Sequence, residues 1–344
     1  MNVFELVTAS NIKTYWENMA AQRGPFLGEV LFPSQKKLGL DLKWISGNSG
    51  IPVVLNLSGF DAPAIPRGRG GFTVTNGNMP FFKESTYIDE EMRQQLNIVL
   101  SSGVQGYIDA VVKNIFDDSK RLIEAARVQR ERMRMSMLTT GAIVLASNGQ
   151  NVNVDYGVPN DHKKTVTKAW SDPTADIMGE LRDWMQVIET DTGVRPTRAL
   201  CSRKTWNYLL ANTAIRNTLF VFSGGVSVIS DKTLRSFLFD QLELAVSVSS
   251  QMFMNELGVS TKYVPDDTFV MFPPGQLGST WFGTTPEESD LLGRGAANVA
   301  IIDTGVAITT MQKTDPVNVE TKISMISLPS FEASGQIIIA DLIP

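Results

Sequence analysis

The sequence predicts an α+β chain in which two parts reach beyond any core of their own. Three observations carry that prediction. Residues 46–90 are irregular but apolar, residues 104–139 keep one helical period without a proline, and residues 170–295 mix helix and strand patterns ahead of a strand-rich end. With 344 residues and 43% hydrophobic content, the chain can fill a substantial core and has the length of about two domains.

Residues 10–22 open the chain as a short amphipathic helix. Ile12, Tyr15, Trp16 and Met19 fall on one face, Ser10 or Asn11 can cap it, and Gly24-Pro25 ends it. Phe26–Pro33 reads as an apolar extended piece. Leu38–Ile45 alternates Leu38, Leu40, Leu42 and Trp44 with Gly39, Asp41 and Lys43, the pattern of a half-buried strand. Glycine and proline then punctuate 46–90 too often for a helix or a packed sheet of its own. Strand-like patches remain at Ile51–Leu57 and Gly71–Thr75. Loops this long are uncommon unless functional or disordered. Val53, Val54, Leu55, Leu57, Phe60, Ile65 and Phe72 are too apolar for a plain linker. A segment that needs burial and cannot bury itself points to burial by neighbouring copies, and so to assembly rather than chemistry.

Glu90–Val99 begins helical. The run 104–139, with Ile108, Val111, Ile115, Leu122 and Ala126 at helical spacing, predicts a strut roughly 50 Å long at ~1.5 Å per residue. Its basic end, Arg127–Met135, reads as a solvated helix terminus whose cations suit the dipole; facing nucleic acid is the second reading. Asn148-Gly149 between apolar runs predicts a hairpin. A helix is expected over 173–191, with Pro173 in its first turn and Ile177, Leu181, Trp184, Met185 and Ile188 on one face. A buried strand at 198–202, helices at about 203–212 and 231–239, and strands near 268–272, 298–311, Val319–Leu328 and Ser334–Ile343 complete the chain. Residues 170–295 read as one compact α+β domain.

The composition narrows the chemistry. A net charge of −5 leaves no overall basic footprint for nucleic acid. One cysteine, Cys201, and one histidine, His162, leave neither an intramolecular disulfide framework nor a two-histidine zinc motif, and fit a reducing compartment. The start lacks a basic region followed by an apolar run, so no signal peptide is expected, and no apolar stretch approaches the ~20 residues of a membrane span. His162 lies in a polar, exposed-looking turn, and Cys201 in a buried-strand pattern that favours a core role over a nucleophile. Gly293-Arg294-Gly295 begins like a dinucleotide turn, but Asn298 replaces the third glycine, so it reads as a surface turn. Asp266-Asp267 reads as a turn and Asp117-Asp118 as a solvated helix face. The charges that stand out are Arg67 and Arg69, in the tip Arg67-Gly68-Arg69-Gly70 and flanked by Phe60, Ile65 and Phe72. Arginine forks can pair with carboxylates across an interface, and this set is the candidate assembly site.

The order of parts resembles the phage lambda-like major capsid protein family nearly end to end. The resemblance rests on Leu31-Phe32-Pro33, the Arg-Gly-Arg-Gly-Gly tip, Met79-Pro80-Phe81-Phe82-Lys83, Tyr87-Ile88-Asp89-Glu90-Glu91, the long helix and Asn-Gly hairpin, Trp170–Ile177, Val264-Pro265-Asp266-Asp267-Thr268 and the closing Val319–Ile343. It implies an HK97-like fold: an N-terminal arm (1–45), an extended loop (46–90), a peripheral domain with spine helix and hairpin (91–169) completed by return strands (298–344), and an axial domain (170–297). It implies pentamers and hexamers of this chain in an icosahedral virion shell, assembled in the host cytoplasm and enclosing packaged double-stranded DNA that is contacted weakly and nonspecifically. Portal and scaffolding proteins, and a decoration protein, are the other implied partners. No catalytic residue, cofactor, metal or membrane is implied. A nanocompartment shell of the same fold and an α+β enzyme with an unrecognised site are the alternatives.

Overall fold

The computed structural model describes residues 7–20, 24–47, 72–88, 90–102, 105–220, 228–291, 297–314 and 317–344. Phe60, Ile65, Arg67, Gly68, Arg69, Gly70, the patch Ile51–Leu57 and the turn Gly293–Gly295 lie outside them. In chain order the described elements are α1 (Ala9–Ala20), α2 (Leu27–Leu31), β1 (Ser34–Lys36), β2 (Asp41–Gly47), β3 (Phe72–Asn78), β4 (Phe81–Ile88), α3 (Glu90–Ser102), α4 (Gln105–Thr140), β5 (Ala142–Ser147), β6 (Gln150–Asp155) and β7 (Lys163–Thr165). Next are α5 (Ile177–Thr192), β8 (Arg198–Ser202), α6 (Arg203–Ala211), α7 (Thr213–Leu219), α8 (Asp231–Leu242), β9 (Ala245–Ser249), β10 (Met252–Met254), β11 (Ser260–Lys262) and β12 (Thr268–Phe272). The last are β13 (Ser279–Phe282), β14 (Asn298–Ile302), β15 (Val306–Thr314), β16 (Val317–Ser330) and β17 (Ile338–Asp341). The chain forms two compact units: Met1–Leu42 with Gly77–Met133 and Ser279–Ser330, and Lys43–Asn76 with Arg134–Gly278 and Phe331–Pro344.

The first unit is built on β16. β15 pairs along Val317–Met325, β4 along Val319–Ile326 and β13 along Ser327–Ser330. With partners along its length, β16 is buried continuously from Ile323 to Ser330. The expected single strand at 298–311 is two, β14 and β15, folded back through a turn where Asp303 has φ 51°. The α1 helix covers that hairpin with Ile12 and Trp16, both buried, while Tyr15 stacks on Phe116 of α4 at 5.3 Å. Its cap is Thr8 rather than Ser10 or Asn11: the Thr8 hydroxyl accepts the Asn11 N–H at 3.2 Å. Phe26–Pro33 is not extended, because the Glu29 carboxylate accepts the Phe26 N–H at 3.1 Å and closes the single turn of α2. The strand expected from Leu38 starts at Asp41. Gly39 adopts φ +91°, Leu38 and Leu40 are exposed, and Leu42 is buried.

The second unit has a five-stranded sheet in the order β7-β17-β12-β8-β9. The central β12 is antiparallel to both neighbours, while β8 and β9 are parallel. Trp170 stacks on Trp184 at 5.7 Å and touches Phe269 at 5.4 Å, and around them pack Leu181, Trp206 and Cys201. The helix expected from Pro173 begins at Ile177, because Asp172 folds its own carboxylate onto Thr174 and Asp176 takes the cap, accepting from Gly179 N–H at 3.0 Å. Ser202, Asn212 and Ser230 cap α6, α7 and α8 in the same way. The Asn-Gly hairpin forms as expected: Ser147 faces Gln150, with Asn148 and Gly149 both at positive φ.

Candidate assembly surfaces

The extended loop is rooted in sheet. β2 and β3 form a two-stranded ribbon, and the Met79 N–H donates to the Leu40 carbonyl at 3.0 Å at its base. Beyond Pro80 the returning chain becomes β4, in register with β16 from Phe81 opposite Ile326 to Ile88 opposite Val319. The strand-like patch expected at Gly71–Thr75 falls in β3 from Phe72 onward, and β4 adds a strand that was not expected. The reason is that β4 and the exposed edge of β16 supply each other's backbone partners, which the segment alone could not. A Cβ on Gly283 would lie 2.8 Å from the Gly39 carbonyl oxygen, so that position needs glycine for backbones to approach. Of the sequence-derived site, Phe72 opens β3, and its six companions fall outside the described residues.

The basic end of α4 is the largest departure from expectation. It is packed, not solvated: Arg130 and Arg134 are buried along with Met133 and Met135. In the first unit, Arg127 grips Glu29 with Nε and one terminal nitrogen, both at 3.0 Å, and lies over the Phe26 ring at 4.7 Å. The hydrogen bonds that Arg127 donates to Glu29 raise its pKa, outweighing the burial that works against its charge. Glu131 accepts the Gly28 N–H at 3.0 Å, so α2 is held by a reciprocal exchange of charge and backbone. Arg130 donates to Asp303 at 3.0 Å and lies over Phe282 at 5.4 Å. A cavity of about 370 Å³ is lined by Trp16, Pro25, Glu29, Ser34, Arg127, Arg130 and Asp303. The signal for this cluster was present in the sequence. Phe116, Ile123, Arg127 and Arg130 follow one another at intervals of seven, four and three residues, so these arginines continue the apolar face.

A second ionic site in the same unit ties the β16 sheet to the segment after β13. Glu287, nearly fully buried, receives Lys322 at 2.6 Å and the Ser324 hydroxyl at 2.7 Å. Lys36 reaches Glu288 at 2.5 Å and the Gly283 carbonyl at 3.2 Å. Burial raises the Glu287 pKa, but the bonds from Lys322 and Ser324 prevail and it falls below 4.5.

The residues weighed for chemistry are placed as follows. His162 is buried, not exposed, and its Nε2 lies 3.0 Å from Asp191. Cys201 is buried in β8, and burial pushes its thiol up to about 12. Asp267 takes φ 60° in the expected turn, where Lys204 and the Tyr208 hydroxyl both reach it at 2.8 Å. Asp117 is half-buried, accepting from Tyr15 at 3.0 Å, whereas Asp118 is exposed. Among the described residues no cluster of three or more His, Cys, Asp or Glu could hold a metal, and no helix is long and apolar enough to cross a membrane.

A family model described as phage major capsid protein E matches residues 8–342. The chain belongs to that family. Solved structures agree in fold. The crystal structure described as the putative capsid protein of a prophage of E. coli CFT073 is similar at TM-score 0.60 and 13% identity, covering 97% of this chain and 99% of that one. A phage-related protein of Bordetella bronchiseptica RB50 gives 0.56 and 12%, covering 97% of each chain. The capsid asymmetric unit of cyanophage A-1(L) gives 0.51 and 11%, covering 93% of this chain and 92% of that one. No curated protein matches significantly. The fold of this phage major capsid protein is HK97-like, with helices and strands combined as expected.

Proposed function

We propose that this major capsid protein builds the icosahedral shell of a tailed bacteriophage as pentamers and hexamers enclosing double-stranded DNA. The observation that carries the reading is the family match over residues 8–342. In this reading residues 1–45 are the arm, 46–90 the extended loop, α4 the spine, and the middle region gathers around capsomer axes. Residues Phe60, Ile65, Arg67–Gly70 and Phe72 form the contact that the loop makes with a neighbouring copy. Portal and scaffolding proteins and a decoration protein are its further partners, and assembly takes place in the host cytoplasm. The chain works without catalysis, and DNA contact is weak because a net charge of −5 offers little to exchange for phosphate counterions. Negative-stain electron microscopy of the purified chain, with and without a co-expressed scaffold, tests the reading. Closed shells are expected. Only monomers or small dimers under both conditions would overturn it.

A further inference from the structure

Among the described residues, the well-exposed sulfur of this chain lies on one ribbon, β10–β11 of the second unit. Met133, Met135, Met137, Met185, Met271 and Met325 are 2% exposed or less, whereas Met252 and Met254 are 51% and 69% exposed. Cys201 offers no competing site. It is buried in β8, and burial pushes its thiol up to about 12, so the thiolate that oxidants need is scarce at neutral pH.

The ribbon holds the two methionines out by its own geometry. Met252 pairs with Lys262, Phe253 with Thr261 and Met254 with Ser260. Side chains alternate between the faces of a strand, so the methionines share one face and Phe253 takes the other. There its ring packs on the buried Tyr263 at 4.9 Å. At the tip, the Asn255 side-chain oxygen accepts the N–H groups of Leu257 at 3.0 Å and Val259 at 2.9 Å, and the Asn255 backbone bonds to Val259 and Gly258. Phe253 and the Asn255 turn therefore anchor the ribbon, and the methionine side chains do not. The two sulfurs also differ. The Ser260 hydroxyl donates to the Met252 sulfur at 4.0 Å, while the Met254 sulfur has no such donor among the described residues.

We propose that Met254, and more slowly Met252, is a modification site for peroxides, whose oxidation turns the outer face of the ribbon from apolar to polar and leaves its fold intact. In the step, a lone pair of the thioether sulfur attacks one oxygen of hydrogen peroxide and forms an S–O bond. The O–O bond breaks, the second oxygen leaves as water with both protons of the peroxide, and the sulfur gives up two electrons to become a sulfoxide. The order follows from the contacts. The bond from Ser260 engages a lone pair of Met252, and Met254 is the more exposed of the two. The exposed Glu256 in the tip does not repel the oxidant, because hydrogen peroxide is neutral. The inference concerns the subunit's own surface and stands apart from the shell reading.

Dilute hydrogen peroxide on the purified free subunit, followed over time by peptide mass spectrometry, tests it. Met254 should gain an oxygen atom roughly ten-fold faster or more than Met133, Met137 or Met271, with Met252 in between. Equal rates at Met254 and the buried methionines would overturn the site, and Met252 leading Met254 would overturn the order. Ser260→Ala should bring the Met252 rate up towards that of Met254; an unchanged rate would remove the hydroxyl from the argument. The subunit oxidised at Met252 and Met254 should keep the melting temperature of the untreated one. A large fall would show that these sulfurs hold the fold and would overturn the separation of surface from core.

Discussion

Glu287 shows how one carboxylate can connect two segments of a capsid subunit. It is 5% exposed, with Lys322 and Ser324 on two sides. Leaving either charge buried alone costs more than the pair contributes. Glu287→Gln should therefore destabilise the subunit by about 2 kcal/mol at neutral pH. The pH dependence has a definite sign. The folded pKa lies below 4.5, so the wild-type advantage is complete above that value and disappears as pH falls through the lowered folded pKa. Urea unfolding of both proteins from pH 7 to pH 3 should show the curves converging; parallel curves would show that Glu287 is not ionised in this pair. At this scale the sequence was only partly legible. Cys201 lies in the core as its neighbours implied, whereas His162 is buried despite Asp161, Lys163 and Lys164 beside it. Local polarity could not reveal Asp191, which reaches His162 from 29 residues away. Arg127 and Arg130 were misread although their spacing continues an apolar helix face; what the sequence did not reveal was their partners, Glu29 and Asp303, which are distant along the chain.

Elements defined by their own residues were legible. The faces of α1, α4 and α5 and the Asn-Gly hairpin all follow from spacing or turn chemistry, and they formed within a few residues of expectation. Elements that depend on a distant partner were not. β4 exists because β16 pairs with it from more than 200 positions away, and α2 exists because Glu29 closes it and Glu131 holds it. The two glycines flanking β5 allow the hairpin to be tested. Gly149, at φ +73°, has open space around its Cα, so Gly149→Ala meets only backbone strain, about 1 kcal/mol. Gly141, at φ +76°, would place a Cβ 2.9 Å from Val158, so Gly141→Ala adds a buried clash to the same strain. Thermal melts should rank the two variants in that order, with Gly141→Ala worse by at least 1 kcal/mol. Equal losses would mean that Val158 moves aside freely.

The whole molecule was recognisable because its order of parts survives where single motifs are weak. The loop, the strut, the hairpin and the closing strands each say little alone, and their sequence together matches one architecture. In the proposed reading, the loop tip is the part that connects this architecture to assembly. Arg67 and Arg69 stand in a glycine-rich stretch beside Phe60, Ile65 and Phe72, and solvated charges alone would not call for so much apolar company. An arginine pair at such a tip gains little in one subunit, ~0–1 kcal/mol for an exposed ion pair. A shell repeats that gain in every subunit, so a loss too small to unfold the chain can still prevent closure. Arg67→Ala combined with Arg69→Ala should therefore lower particle yield by electron microscopy and leave the melting temperature of the free subunit unchanged. Normal particles would remove the arginines from assembly. A large fall in melting temperature would instead place them in the fold of the subunit itself.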